Sequence, residues 1–168
     1  MEFRIIKDWP DFAALAAVER AAAERYRDAG YDPADWAATR PDEFLEYQAN
    51  GLLWVAAVHA RALGFVMCDI YGDSMHIEEI DVLPEFQGQG IGKALLVAAI
   101  SRAGTRGMKR VTLRTFHSTP WSVGLYRKLG FDTVAPLDLP PYIDAIIEGE
   151  RDAGLAMNDR VTMVNNLR

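Results

Sequence analysis

The residues best suited to chemistry lie between Ile77 and Lys93, where three acids within four positions, Glu78, Glu79 and Asp81, are followed by three glycines. The glycines occupy every second position of Gln87-Gly88-Gln89-Gly90-Ile91-Gly92, and an apolar, helix-forming segment follows from Lys93 to Ala103. Glycine lets a ligand approach the main chain, and the first turn of a helix leaves N–H groups without partners, so this arrangement favours an anion such as phosphate. The letters match neither G-x-x-x-x-G-K-[ST] nor G-x-G-x-x-G, two familiar phosphate-binding patterns.

The three acids before the glycines are the candidate acid–base groups. Glu78, Glu79 and Asp81 lie in a segment whose composition predicts a largely buried strand. Strict alternation would place Glu78 on one face of that strand, together with His76, Ile80 and Val82. Glu79 and Asp81 would lie on the opposite face, together with Ile77 and Leu83. A wet face would account for Glu79 with Asp81 but not for Glu78, because a buried carboxylate is costly unless it has a partner.

The glycine segment resembles the [QR]-x-x-G-x-[GA] signature of the GNAT family of N-acetyltransferases. A second element, Leu125-Tyr126-Arg127-Lys128-Leu129-Gly130-Phe131, is similar to the L-Y-x-K-L-G-F element of the same family. A predicted helix, a strand at Arg110 to Thr115 and a loop separate the two elements, as they do in the family. The resemblance covers Ile77 to Val134, which is 58 of the 168 residues.

The resemblance implies an α+β fold, an α/β/α sandwich whose mixed, mostly antiparallel sheet of six to seven strands is flanked by four to five helices. It also implies a bulge and a splay in the fourth strand, which the residues alone do not indicate. The strand and turn signals agree with such a sheet, since Leu53 to His59 and Ala62 to Tyr71 predict a hairpin that leads into the strand from His76 to Leu83. Two N-terminal helices, Phe12 to Arg27 and Asp35 to Asn50, would form one wall of the acceptor pocket. The second of them is expected to be interrupted, or to start afresh, near Pro41.

We expect a single domain over residues 1–168, since this length suits one hydrophobic core. Residues 77–134 would form the acyl-CoA-binding core, and residues 136–160 a C-terminal insert with a helix from Tyr142 to Ala153. The insert is rich in acids and could border the acceptor site or a dimer interface. A solvated acidic helix is the simpler interpretation.

The resemblance implies that acetyl-CoA is the co-substrate and that its pyrophosphate binds the main chain of the glycine loop. Tyr126 would donate a hydrogen bond to the CoA sulfur, and a main-chain amide near Val82 would stabilise the developing oxyanion. Thr119 and Ser122 stand where many family members have Asn and Ala; a hydroxyl there can bond the co-substrate or cap the next helix. The residues predicted to contact the co-substrate are Val82, Leu83, Gln87, Gly88, Gln89, Gly90, Ile91, Gly92, Lys93, Thr119, Ser122 and Tyr126.

Glu78 occupies the position at which several amine acetyltransferases of the family carry a catalytic base, and His76 is the alternative base. His59 and His117 are interpreted as bystanders, and three scattered histidines with one cysteine do not predict a metal site. Cys68 lies one strand earlier, so no covalent acyl-enzyme is expected. The predicted reaction is direct acetyl transfer within a ternary complex to a small-molecule or peptide amine.

Composition narrows the function further. The net charge is −6 and no cluster of Lys and Arg occurs, which argues against nucleic-acid binding, while the acidity mildly favours a cationic substrate. No apolar segment approaches the ~18 residues of a membrane helix, and a single cysteine excludes an internal disulfide. A cytoplasmic protein is therefore the default expectation. A homodimer is a possible assembly, since dimers are the commonest soluble oligomers. Two other functions stay open: a non-catalytic acyl-CoA-binding regulator, and a protein that binds a different phosphate ligand.

Overall fold

The protein is built around one seven-stranded sheet with the strand order β1-β2-β3-β4-β5-β7-β6. A computed structural model describes residues 2–119 and 121–168. Only β4 and β5 pair in parallel; every other neighbouring pair is antiparallel. The strands are β1 (Arg4–Ile6), β2 (Leu53–Val58), β3 (Arg61–Tyr71), β4 (Ser74–Val82), β5 (Arg110–Phe116), β6 (Asp132–Thr133) and β7 (Arg160–Asn166).

Helices cover both faces of the sheet, which confirms the expected α/β/α sandwich. The helices are α1 (Phe12–Ala23), α2 (Pro41–Ala49), α3 (Ile91–Thr105), α4 (Val123–Lys128) and α5 (Tyr142–Asp152). Leu95, Leu96 and Ala99 of α3 lie in one apolar core with residues of β2 to β5, and Val123 of α4 joins them. Leu15 of α1 and Phe44 of α2 lie in a second core on the opposite face of the sheet.

The two N-terminal α-helices lie within their predicted segments, and each is shorter than the segment. The Asp11 carboxylate caps α1 by accepting a hydrogen bond from the Ala14 N–H at 3.1 Å, and the chain tightens into a 3₁₀ helix at Glu24–Ala29. The segment predicted from Asp35 to Asn50 starts as a 3₁₀ turn, Pro33–Asp35, and α2 starts afresh at Pro41, which confirms the interruption predicted near Pro41. Proline suits the first helical position, where its missing N–H has no role.

The fourth strand carries the bulge and the splay that the resemblance implied. Met67 pairs with Glu79 and Cys68 pairs with Ile77, so Glu78 is an extra residue without a partner on β3. The parallel pairing of β4 with β5 runs only as far as Ile77 opposite Leu113, although both strands continue beyond that pair. The two strands therefore separate from Glu78 onwards.

The bulge also reverses the side-chain alternation, so the predicted division of faces on β4 is wrong. Met75, Ile77, Ile80 and Val82 all pack in the core beside α3, which strict alternation forbids for Ile77 together with Ile80. An inserted residue shifts the alternation by one position. As a result Glu79 and Asp81 share the face of His76, and Glu78 stands at the switch between the two patterns.

Within residues 2–119 and 121–168, no helix has both the length and the apolar composition that crossing a bilayer requires.

Candidate active site

The glycine loop has the backbone shape that its sequence predicts. Gly88 and Gly90 have φ angles of 74° and 86°, in the left-handed region that favours glycine. A Cβ atom at either position would meet no atom within 4 Å in the described part of the chain, so conformation rather than crowding requires glycine there. Two glutamine side chains brace the loop: Gln87 Nε2 donates to the Val82 carbonyl at 2.9 Å, and Gln89 Nε2 donates to the Glu85 carbonyl at 3.0 Å.

Helix α3 starts directly after Gly90, earlier than the predicted Lys93, and it directs its first N–H groups into this loop. The Ala94 N–H donates to the Gly90 carbonyl at 3.0 Å, which leaves the N–H groups of Ile91, Gly92 and Lys93 ahead of the first helical hydrogen bond. An open glycine main chain beside a fifteen-residue helix favours an anion. The loop therefore suits an anionic group such as a phosphate.

The gap between β4 and β5 presents main-chain groups beside this loop. The Leu83 N–H donates to the Leu63 carbonyl at 2.8 Å, so odd-numbered residues at this end of β4 bond to β3. In an antiparallel ladder the intervening residues point their N–H and C=O groups the other way. The main-chain groups of Ile80 and Val82 therefore point toward the gap that β5 leaves open. Because the Val82 carbonyl accepts from Gln87, the Val82 N–H and the Ile80 groups are the ones that a strand-like ligand could bond.

A cavity of about 830 Å³ opens on the α1 side of the splayed strands. Its walls come from α1, from the segment between α1 and α2, from β3 to β5, and from α5. The carboxylates on its walls are those of Glu19, Glu24, Glu43, Asp69, Glu78, Glu79, Asp81 and Glu150. Tyr26, Trp36, Phe116 and Tyr126 add aromatic surface. The gap between β4 and β5 and this cavity meet along β4.

Glu78 combines an open face with a strongly perturbed environment. Its side chain is exposed to the cavity, yet burial among protein atoms raises its pKa to about 7, with further increases from the carboxylates of Asp69 and Glu150. Asp69 lies within hydrogen-bonding reach of Glu78 and accepts a hydrogen bond from Tyr47 Oη at 3.0 Å. A carboxylate with a pKa near neutrality suits a general base.

Glu79 and Asp81 form a second carboxyl pair on the same wall. Burial is the main cause that raises the pKa of each group, and the negative charge of Glu79 adds to the shift at Asp81. The two side chains are within hydrogen-bonding reach of each other. Crowded carboxyl groups cannot both ionise without cost, so this pair holds a proton near neutral pH.

His76 is placed poorly for the alternative role of base. It is 2 % exposed, and burial lowers its pKa to about 4, so it is neutral near pH 7 and has little affinity for a proton. Its Nδ1 atom lies 2.8 Å from Thr112 Oγ1, which lies 2.8 Å from the Tyr142 hydroxyl. This chain of hydrogen bonds ties β4 and β5 to α5.

Tyr126 lies in α4 and reaches the cavity from the side of the glycine loop. Burial, together with the charges of Asp81 and Glu79, raises the pKa of its hydroxyl to about 12. The hydroxyl therefore keeps its proton and acts as a hydrogen-bond donor. Its ring packs edge-on against Phe131, with 6.1 Å between the ring centroids.

Thr119 and Ser122 are bonded within their own loop. Both side chains are buried, Thr119 Oγ1 donates to the Phe116 carbonyl at 2.9 Å, and the two hydroxyls bond to each other. Ser122 precedes α4 but its side chain makes no capping bond. These hydroxyls fix the end of β5 beside the gap. Contact with the co-substrate stays a prediction for Thr119 and Ser122, as it does for every other residue predicted to make such a contact.

The sequence did not single out the residues that surround Glu78 from distant segments. Asp69 comes from β3, and Glu150 of α5 accepts a hydrogen bond from Arg114 Nε at 2.8 Å and another from Arg160. All three residues of this ion cluster are nearly buried. The C-terminal insert therefore borders the cavity through Glu150, whereas Asp144, Glu148 and Asp152 of α5 are exposed, as a solvated acidic helix requires.

The family model of the acetyltransferase (GNAT) family matches residues 15–131, well over half of the chain. The chain belongs to this family, which confirms the resemblance seen in its two motifs.

Among curated relatives, the chain is 32% identical over 128 residues to a mycothiol acetyltransferase from Arthrobacter sp., covering 72% of this chain and 39% of that protein. It is 36% identical over 86 residues to an uncharacterized N-acetyltransferase from Methanocaldococcus jannaschii, covering 47% of this chain and 38% of that protein. The chain thus spans less than half the length of these relatives.

Solved structures share the fold at low sequence identity. The PaiA N-acetyltransferase from Thermoplasma acidophilum, solved with coenzyme A, has a TM-score of 0.77 at 16% identity and covers 99% of this chain and 100% of its own. The ribosomal-protein-S18-alanine N-acetyltransferase from Escherichia coli has a TM-score of 0.69 at 19% identity, covering 98% and 94%.

Proposed function

We propose that this protein transfers an acetyl group from acetyl-CoA to a primary amine. The observation that carries the proposal is the continuity of three features along β4: an anion-binding glycine loop, a gap with free main-chain groups, and a cavity with Glu78 beside the gap. A thioester held in the gap would supply the activated acetyl group at the point where the cavity opens. Membership of an acetyltransferase family supports the same reaction.

Glu78 is proposed as the base. An alkyl ammonium group has a pKa near ~10.4, so exposing its lone pair at pH 7 costs about 4–5 kcal/mol, roughly 3 units at 1.36 kcal/mol each. Glu78 would first accept one proton from the ammonium group, directly or through water. The free amine nitrogen would then form its bond to the acetyl carbon as the C–S bond breaks, and the surplus proton left on nitrogen would pass to the departing thiolate or to solvent. A pKa of about 7 makes Glu78 a stronger base than an ordinary glutamate while leaving it substantially ionised.

Tyr126 and the main chain are proposed to stabilise the charges that develop. The Val82 N–H faces the gap and would donate to the oxyanion, and the Tyr126 hydroxyl would donate to the departing sulfur. Because its pKa is raised to about 12, Tyr126 is suited to donate a hydrogen bond rather than give up its proton. Cys68 supports direct transfer, since it is fully buried in the core beside α3, on the face of the sheet opposite the cavity.

The test is calorimetric titration of the protein with acetyl-CoA, with Gly90→Asp as the disruptive variant. A carboxylate at position 90 would repel the pyrophosphate, so we expect micromolar binding in the wild type and at least about a tenfold loss in the variant. Gly107→Asp is the matched control: Gly107 also has a positive φ, 69°, and open surroundings, but it lies beyond the far end of α3.

A subsequent transfer assay with a panel of amines separates an enzyme from an acyl-CoA-binding regulator. Acetyl-CoA binding without transfer to any amine would favour the regulator. Failure of the folded wild type to bind acetyl-CoA or a longer acyl-CoA would overturn the proposed function and direct attention to other phosphate ligands.

A further inference from the structure

The acceptor cavity contains more uncompensated carboxylates than acetyl transfer requires. Arg114 and Arg160, the two nearly buried arginines on its wall, both bond Glu150. Within the described residues, no Lys, Arg or His forms an ion pair with Asp69, Glu78, Glu79 or Asp81. Asp69, Glu79 and Asp81 are partly buried, and carboxylates removed from water are normally paired with a cation or coordinated. A cationic partner is therefore expected to come from outside the chain.

Hydrogen-bonding reach groups these acids into two pairs, and the charge of Glu19 also acts on the second pair. Asp69 with Glu78 forms the pair at the bulge, and Glu79 with Asp81 forms the pair further along β4. Residues advance by about 3.3 Å along a strand, so Glu78 and Asp81 are separated by roughly 10 Å of main chain. One pair supplies the proposed base, and the second has no part in moving the acetyl group.

Aromatic surfaces lie beside these acids. The rings of Tyr26 and Trp36 meet at 5.1 Å between centroids, Tyr26 and Phe116 at 5.4 Å, and all three line the cavity. Aromatic faces attract ammonium groups and also accept an aliphatic chain. The cavity volume of about 830 Å³ has room for an extended ligand rather than a single small amine.

We propose that the acceptor is an aliphatic diamine or longer polyamine, with one amino group acetylated beside Glu78 and a second ammonium group held by Glu79 and Asp81. This inference rests on the proposed function and deepens it by naming the substrate class. A dication supplies one positive group to each carboxyl pair, and the spacer lies against the aromatic wall. Acceptors with a carboxylate fit less well, because eight acids face only three arginines on the cavity wall, and two of those arginines are bonded to Glu150.

The experiment compares the four-carbon α,ω-diamine with the four-carbon monoamine as acceptors. A charge-assisted hydrogen bond in a shielded site favours the diamine by about 10- to 100-fold in kcat/KM. The double variant Glu79→Gln, Asp81→Asn keeps side-chain size and should lower that preference below about tenfold, chiefly through KM for the diamine. Glu148→Gln is the control, because Glu148 is an exposed acid of α5 outside the cavity wall.

Calorimetric titration of each amine into the CoA-saturated protein provides a readout that does not depend on turnover. Tighter binding of the diamine than of the monoamine, reduced in the double variant and kept in Glu148→Gln, would support the inference. Equal binding and equal transfer of the two amines would overturn it and leave the proposed N-acetyltransferase intact. Diamine-selective binding without transfer would support the inferred ligand class and overturn the proposed reaction, so the two failures are distinguishable.

Discussion

Replacing Glu78 by glutamine tests the proposed acid–base chemistry most directly. Burial, followed by the Asp69 and Glu150 carboxylates, raises the pKa of Glu78 to about 7. Such a group is about one tenth ionised near pH 6 and about nine tenths ionised near pH 8, whereas an ordinary glutamate with a pKa near 4.3 is ionised throughout. We therefore expect the wild-type kcat at saturating substrates to rise through about pH 7 with a single ionisation.

Glutamine at position 78 keeps the shape of the side chain and removes the base. Loss of a positioned general base lowers kcat by about 10²- to 10⁴-fold, and the rise through neutral pH should disappear with it. The charged groups that face Glu78 come from several elements: Asp69 from β3, Glu150 from α5 and Arg160 from β7. His76 on β4 is neutral in this range, because burial lowers its pKa to about 4.

Asp69→Asn provides the matched control for this assignment. The change removes a neighbouring negative charge but retains an oxygen that can accept the hydrogen bond from Tyr47. The pKa of Glu78 should fall, and the rise in kcat should move to lower pH while the activity at high pH stays close to that of the wild type. Burial, the largest cause of the shift, remains, so the midpoint should stay above the ordinary glutamate value. A Glu78→Gln enzyme that lost less than about tenfold in kcat, or kept the same pH profile, would refute this reasoning.

Three further changes address the other parts of the site. Tyr126→Phe should lower kcat by about 10- to 100-fold while acetyl-CoA affinity is kept, since a hydrogen bond to a charged atom contributes about 1.5–3 kcal/mol. Single-turnover kinetics measure the rate and calorimetry measures the affinity. An unchanged kcat would exclude the contact between Tyr126 and the sulfur. Asp81→Asn should have a higher Tm than the wild type, and the difference should grow as pH rises above about 4. The reason is that the folded protein resists ionisation of Asp81 and the unfolded chain does not. Thermal scans across pH measure this, and a difference in Tm that stayed constant with pH would contradict it. Glu150→Gln should lower the free energy of unfolding, measured in urea, by about 3–5 kcal/mol, because two nearly buried arginines lose their shared carboxylate. A loss below about 1 kcal/mol would mean that water solvates the two arginine charges in its place.

The parts of the site that local sequence specifies were predictable. The glycine spacing predicted an open turn directly before a helix, and the structure has that turn, with positive φ angles at Gly88 and Gly90. The strand and turn signals around Arg61 predicted the β2–β3 hairpin, and the apolar residues after Gly92 predicted α3 to within two residues at each end. These features depend on contacts within a few residues, which a sequence displays directly.

The environment of Glu78 was not predictable from local pattern, because it depends on pairing between distant segments. The bulge is a property of the register between β3 and β4, and the residues alone gave no sign of it. Asp69 and Glu150 reach Glu78 only after the sheet and α5 are assembled. The unusual run of three acids on a buried strand was the available signal, since alternation could not explain Glu78 with Glu79 and Asp81.

One irregularity in β4 accounts for most of the proposed site. Because Glu78 is an extra residue, the strand changes phase there: Ile80 and Val82 pack beside α3, while Glu79 and Asp81 turn toward the cavity. The pairing with β5 stops one residue before the same point, so main-chain groups are freed for a ligand where the acids begin. A regular strand in this position would keep its hydrogen bonds to β5 and would place Glu78 and Glu79 on opposite faces. The bulge thus removes a few hydrogen bonds between strands and creates a binding gap beside an acidic wall. The gap and the wall meet at Glu78, which is why we assign the proton transfer to this residue.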